Sequence, residues 1–269
     1  MAAACHCPSV ALSVVPGDVF VPGAEVPMLI SLKPGKGRAR PSVDIVVALD
    51  VSGSMGADAT IVGPSGQQER NGLSLLDVAK HGVRTVVRAL EAQDRFALVL
   101  FHHEARTAVL LTHMTEPGQE TAEACLQQVD SGGGTDIWAG LALALQELDS
   151  ASEAASPRLG HILLLTDGES ASRDQILPRL QCYRANGEKL PGTLSTFGFG
   201  YRIDSALLVA LAEFGDGMYC FIPDAGFVGT VFINSLSNLL VTFGRETVVA
   251  LELEDDGTAI SQVRGGYEC

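Results

Sequence analysis

The feature that most constrains this chain is the segment Val43–Leu49, an apolar, β-branched run that leads without a break into Asp50-Val-Ser52-Gly-Ser54-Met-Gly56. A strand of that composition is buried on both faces, as in a parallel sheet covered by helices on each side. His161–Thr166, with three consecutive leucines, has the same character and leads directly into Asp167-Gly168. Between and beyond these runs the pattern alternates. Strands are predicted at Arg95–Phe101, Arg106–Leu111, Thr193–Phe199 and Met218–Ile222. Helices are predicted at Leu73–Glu91, Glu120–Val129, Ile137–Leu148, Gln175–Ala185, Ser205–Phe214 and Phe227–Leu240. In Leu73–Glu91, for example, Leu76, Ala79, Val83, Val86, Val87 and Leu90 recur at helical spacing. Pro178 is compatible with its helix only near the start. Such alternation specifies an α/β fold, a doubly wound, mostly parallel sheet flanked by helices.

The two ends of the chain read differently. Val10, Leu12 and Val14, then Val26, Met28, Ile30 and Leu32, and finally Val249, Leu251 and Leu253 alternate with polar or small residues. That is the period of half-exposed antiparallel strands. The expected organisation is a tail and accessory β strands over residues 1–42, the α/β domain over 43–243, and a C-terminal strand over 244–269. The terminal strands would pair as a small β module that a longer relative would continue. Residues 57–72 are polar and read as a long, mobile loop.

Length and composition set limits. The chain has 269 residues, 46% hydrophobic, enough for one large domain that folds without staples. The formal net charge of −14 argues against nucleic acid as a partner, because phosphate binding needs a basic face. No apolar run reaches the roughly 18 residues of a membrane span. The opening MAAACHCPSVALSVVPG lacks a basic n-region and reads as a tail, which points to a cytoplasmic protein. Cys5-His6-Cys7 lacks the paired spacing of a zinc site, and Cys125, Cys182 and Cys220 read as small buried hydrophobes.

Ligands in open α/β sheets bind beyond the carboxyl ends of the strands, so a functional loop should follow a buried strand at once. Three loops meet that test or open a helix: Asp50–Gly56, Gly132-Gly-Gly-Thr135-Asp136 and Thr166-Asp167-Gly168. Their carboxylates and hydroxyls are hard oxygen donors, the class taken by Mg²⁺, Mn²⁺ and Ca²⁺. In Asp-x-Ser-x-Ser, alternate side chains of a tight loop face one point, while Gly132–Gly134 let Thr135 approach from the opposite side. Asp50, Ser52, Ser54, Thr135 and Asp167 are therefore the candidate metal ligands, with Mg²⁺ the first choice. Asp136 reads as the cap of the following helix. Neutral hydroxyl donors would leave the cation an acceptor for one further carboxylate.

ALDVSGSMG, SGGGTDI and LLLTDGES resemble the three loops of the metal-ion-dependent adhesion site of von Willebrand factor type A domains, and the similarity covers residues 43 to about 240. The resemblance implies that Ser52, Ser54 and Thr135 contact the metal as hydroxyls, that Asp50 and Asp167 hold it mainly through water, and that a partner protein supplies a Glu or Asp carboxylate to the ion. The stretch from Phe197 to Leu240 resembles intracellular eukaryotic members whose domain is inserted in a β-sandwich. Some of these carry ubiquitin-ligase modules, which implies substrate recognition in such an assembly.

Other chemistries fit less well. A Mg²⁺-dependent phosphohydrolase or phosphotransferase of the haloacid dehalogenase type needs a second Asp two residues after the first, where Ser52 stands, and a positioned Lys that the three loops lack. Ser52 has no Gly-x-Ser-x-Gly context for a nucleophile. His102-His103-Glu104 reads as a surface turn, Gly198-Phe-Gly200 is too short for a dinucleotide fingerprint, and Trp138 reads as core or site rim. The expected protein is a binding module and not an enzyme.

Overall fold

The computed structural model describes residues 9–14, 28–33, 40–62, 68–150, 158–168, 173–185, 190–201 and 203–242. The chain divides into two compact units, Met1–Arg40 with Phe243–Cys269, and Pro41–Thr242. In the first, β1 (Ser9–Val14) and β2 (Met28–Lys33) form an antiparallel pair with Val10 opposite Leu32 and Leu12 opposite Ile30. The strand expected near 248–253, and its pairing, lie outside the described residues.

The second unit is a six-stranded sheet. Its strands are β3 (Val43–Asp50), β6 (Arg95–Phe101), β7 (Ala105–His113), β8 (Leu159–Thr166), β9 (Thr193–Phe199) and β10 (Asp216–Ile222), in the order β10-β9-β8-β3-β6-β7. All neighbours run parallel except β6 and β7. The chain order reverses direction around β3, which lies between β8 and β6. The crevice at its carboxyl end is thus a topological switch point.

Every residue of β3 is buried, and alternate side chains feed two cores. Ile45, Val47 and Leu49 join α1 (Leu75–Ala89), α2 (Glu116–Gln127) and α6 (Val228–Leu240) on one face. Val46 and Ala48 join α3 (Ile137–Asp149), α4 (Arg173–Ala185) and α5 (Ser205–Phe214) on the other. Each such valine, leucine or isoleucine contributes roughly 1.5–3 kcal/mol when fully buried, which is why a run without polar alternation becomes the central strand. No helix among the described residues is long and apolar enough to cross a membrane.

Four details depart from the sequence reading. Residues 57–72 contain an antiparallel hairpin, β4 (Asp58–Val62) with β5 (Gln68–Ser74), and not a plain loop. Ala59 is drawn into the core, and Gly72, at φ +77°, sits where the register shifts. The second helix begins at Glu116, ahead of the predicted Glu120, because Pro117 suits a first turn that needs no amide donor. Pro178 lies inside α4, where it forgoes one backbone hydrogen bond. Cys182 is exposed, while Cys125 and Cys220 are half-buried with thiols pushed up by burial.

Candidate metal centre

The register of β3 against β8, with Leu49 opposite Leu165, sets Asp50 beside Thr166 at the carboxyl edge of the sheet. Asp50 is fully buried. Its Oδ1 accepts the Ser52 amide at 2.8 Å and its Oδ2 accepts the Thr166 hydroxyl at 2.6 Å. Among the described residues it has no basic partner. Burial pushes its carboxyl up to about 6, against the opposing hydrogen bonds from Ser52 and Thr166, and repulsion from Asp167 adds to the rise. Asp167, also buried, follows β8 directly.

Past Asp50 the chain closes a short 3-10 turn, Gly53–Gly56. Met55, fully buried, pins this turn into the core below. The Met55 amide donates to the Ser52 carbonyl at 3.2 Å and the Ala57 amide to that of Ser54 at 2.9 Å. In this turn the Ser52 and Ser54 hydroxyl oxygens come within 3.0 Å of each other. Ser52 is buried and Ser54 half-buried, so the pair opens outward from the sheet edge.

The glycine loop is tied to this turn by its backbone. The Gly132 amide donates to the Val51 carbonyl at 2.8 Å, and the Gly53 amide to the Gly133 carbonyl at 3.1 Å. Gly133 adopts φ +82°, a conformation costly for other residues, and a Cβ there would lie 2.9 Å from His103 Nδ1. Thr135 stands half-buried two residues on. Asp136 caps α3 as expected, accepting the Ala139 amide at 3.2 Å. The structure thus brings all three predicted loops to one edge, with Asp50, Ser52 and Ser54 on the first, Thr135 on the second and Asp167 on the third.

One contributor escaped the sequence reading. Thr166 holds Asp50 and in turn accepts the Gly168 amide at 2.9 Å. Its signal was only its place before Asp167 at the end of a buried strand. His102 and His103 occupy the expected β6–β7 turn, but their rings stack at 4.2 Å and the turn abuts the glycine loop, since the Asp136 amide donates to the His102 carbonyl at 2.6 Å. Trp138 is half-buried against the core of its helix face, with the Arg179 guanidinium 5.6 Å from its ring centre.

The donor set fits a hard divalent cation. Among the described residues no group of three His, Cys, Asp or Glu side chains is placed to hold a metal. The loops instead pair two carboxylates with hydroxyls, an all-oxygen set of the kind that takes divalent cations. A buried carboxylate raised toward neutrality, facing another buried carboxylate, is an electrostatic demand that a cation satisfies.

Comparison with known proteins agrees with this geometry. Residues 45–169 match the model of the von Willebrand factor type A domain. An uncharacterized protein of Escherichia coli (strain K12), YfbK, is 26% identical over 241 residues, which is 89% of this chain and 38% of that protein. A probable E3 ubiquitin-protein ligase of Arabidopsis thaliana, WAVH2, is 26% identical over 166 residues, covering 60% of this chain and 20% of that protein. The chain therefore spans well under half the length of these curated relatives. Among solved structures, the von Willebrand factor type A protein from Catenulispora acidiphila superposes with a TM-score of 0.63 at 18% identity, over 87% of this chain and 50% of that one. Proximal thread matrix protein 1 from the mussel byssus, with a zinc-occupied metal-ion-dependent adhesion motif, gives 0.54 at 18% identity, over 73% and 48%. Sequence match and architecture converge: residues 45–169 match the von Willebrand factor type A domain, and the mostly parallel sheet flanked by helices is the fold of the superposed type A protein.

Proposed function

We propose that the three loops hold one divalent cation, Mg²⁺ by preference with Mn²⁺ or Ca²⁺ as alternatives, and that a Glu or Asp of a partner protein completes its coordination. In this reading Ser52, Ser54 and Thr135 are the hydroxyl ligands, and Asp50 and Asp167 supply the negative charge. The observation that carries it is the pairing of a fully buried Asp50, without a basic partner among the described residues, with two hydroxyl oxygens 3.0 Å apart at the sheet edge. Both Asp50 oxygens already accept hydrogen bonds, which suits a role through metal-bound water. A cation held largely by neutral donors keeps its appetite for an anionic oxygen, and a protein carboxylate supplies one. The metal, when bound, contributes Lewis acidity toward that carboxylate. The chain's own residues fix the ion's position and set its residual charge.

The test is thermal unfolding with Mg²⁺, Mn²⁺ and chelator on the wild type, Asp50→Ala and Thr135→Ala, followed by capture of proteins on the immobilised chain in metal against chelator. At 100 times its dissociation constant the metal stabilises by about 2.7 kcal/mol, and both variants should lose that increment. Captured partners should release in chelator and lose binding on removal of one acidic residue. Equal metal shifts in wild type and variants, or capture indifferent to chelator, would overturn the reading.

A further inference from the structure

The loop that brings Thr135 to the metal centre has no side chain of its own between Ser131 and Thr135, and Gly132, Gly133 and Gly134 are all exposed. Successive glycines have more backbone freedom to lose than any other residues. A metal ligand must nevertheless be held close to one position, because a loosely supported ligand weakens the site. The contacts that fix Thr135 therefore come from the loop's neighbours.

Two neighbours supply them. The first is the turn after β3. The Gly53 amide, between Ser52 and Ser54, donates to the Gly133 carbonyl at 3.1 Å, and the Gly132 amide donates to the Val51 carbonyl at 2.8 Å. The second is the β6–β7 turn, which His102 closes on itself. Its amide donates to the Glu104 carbonyl at 2.9 Å, and its Nδ1 accepts the Glu104 amide at 3.1 Å. So fastened, the half-buried His102 serves the glycine loop in two ways. Its carbonyl accepts the amide of Asp136, directly after Thr135, at 2.6 Å. Its ring is the platform on which the exposed His103 stacks, with centroids 4.2 Å apart and planes 22° from parallel. The His103 ring then fills the space that a side chain at Gly133 would take. A Cβ there would lie 2.9 Å from His103 Nδ1, 3.5 Å from its Cε1 and 3.6 Å from the Cβ of His102. The next glycine is covered as well, since a Cβ at Gly134 would lie 3.9 Å from that of His103. Stacking of aromatic rings is favourable beyond the area it buries, so His103 is ordered by its neighbour although it faces solvent.

We propose that His102 and His103 are positioning residues of the metal centre: the stacked pair holds Gly133 on the Ser52–Ser54 turn and so presets Thr135 for the cation. Both act through the backbone of the glycine loop and not as ligands. The proposal rests on the reading of the three loops as a divalent-cation site.

His103 carries the test, because its side chain reaches solvent and its removal leaves the core intact. Mn²⁺ titration of the full chain, read by the paramagnetic resonance of the free ion, measures the metal. Hydrogen exchange of the Gly132 and Asp136 amides in chelator measures the loop without it. His103→Ala should weaken Mn²⁺ binding by about tenfold or more and speed the exchange of both amides, while the melting temperature in chelator stays with the wild type. His103→Phe keeps a planar ring on His102 and over Gly133 and should recover most of both losses. Wild-type affinity in His103→Ala, weakened affinity with unchanged exchange, or failure of His103→Phe to recover the loss would overturn the proposal. A wild type that binds no Mn²⁺, or Thr135→Ala binding it as the wild type does, would overturn instead the reading of the metal centre. The exchange measured in chelator would then still decide whether the two histidines hold the loop.

Discussion

The Thr166 hydroxyl donates to Asp50 Oδ2 at 2.6 Å, joining two residues 116 positions apart in the chain at the point where a cation is proposed to bind. The same hydroxyl accepts the Gly168 amide, so one oxygen orders both the carboxylate and the turn that follows Asp167. Thr166→Val keeps the shape and removes both bonds. Leaving a buried carboxylate short of a donor costs about 1–3 kcal/mol. The urea midpoint should fall without a change in slope, and the Mg²⁺-induced rise in melting temperature should shrink, while Thr166→Ser retains most of both. A Thr166→Val protein with the wild-type metal response would show that this contact is incidental to the site.

Asp50 gives the metal-free domain an inverted dependence on pH. Its carboxyl is raised from 3.8 to about 6, chiefly by burial. Between those values the folded chain holds a proton on this group that the unfolded chain has lost. Stability in chelator therefore falls as pH rises through that window, by up to about 3 kcal/mol from this one group. Below the window both states are protonated, and above it both are ionised, so the contribution is flat. Asp50→Asn should flatten the slope and, near pH 7 in chelator, leave the domain more stable than wild type. In saturating Mg²⁺ the wild-type slope should reverse, because proton and cation compete for the same oxygens. Urea titrations from pH 4 to 7.5 with and without Mg²⁺ measure both effects. An Asn variant that keeps the wild-type slope in chelator would exclude Asp50 as its source.

What could be read from the sequence was local. Val43–Leu49 and His161–Leu165 announce buried strands because burial on both faces removes polar alternation. Asp50, Ser52, Ser54, Thr135 and Asp167 stand out because loops at strand ends carry hard donors together. What escaped depends on partners distant in sequence. Thr166 matters only through the register of β3 on β8. The hairpin at Asp58–Val62 and Gln68–Ser74 is too polar to show a hydrophobic period, and its pairing, not its composition, defines it. Asp44 sat unnoticed inside an apolar run because its two arginines arrive from Arg95 and from Arg158, 114 residues away.

That arginine pair yields a control at the opposite end of β3. Asp44 is buried and accepts Arg95 at 2.6 Å and Arg158 at 2.7 Å. Arg158 also donates to the carbonyls of Val43 and Gln93, at 3.1 and 2.7 Å. Asp44→Asn should leave two partly buried guanidinium groups without their carboxylate and cost about 3–5 kcal/mol. The metal loops lie at the other end of the strand, so the Mg²⁺-induced stabilisation should survive undiminished on the lower baseline. Loss of the metal response along with stability would show that the two ends of β3 are coupled.

The packing of α6 on α1 rests on one missing side chain. Gly82 faces Phe232, and a Cβ at Gly82 would lie 2.4 Å from Phe232 Cε2. Phe232 is in turn held from behind by Phe197, whose ring stacks on it at 4.5 Å, so it has no room to retreat. Ala is preferred over Gly in a helix by about 1 kcal/mol, whereas overpacking a filled core costs about 1–3 kcal/mol. The second effect should win, and Gly82→Ala should destabilise the domain. Phe232→Leu alone should also destabilise it, through lost burial. Combined, the two should cost less than their sum, because the smaller side chain leaves space for the new methyl. Chemical denaturation of the four proteins closes the cycle. A stabilised Gly82→Ala variant, or strict additivity, would mean that α6 tolerates displacement at this crossing and that Gly82 does not set its distance from α1.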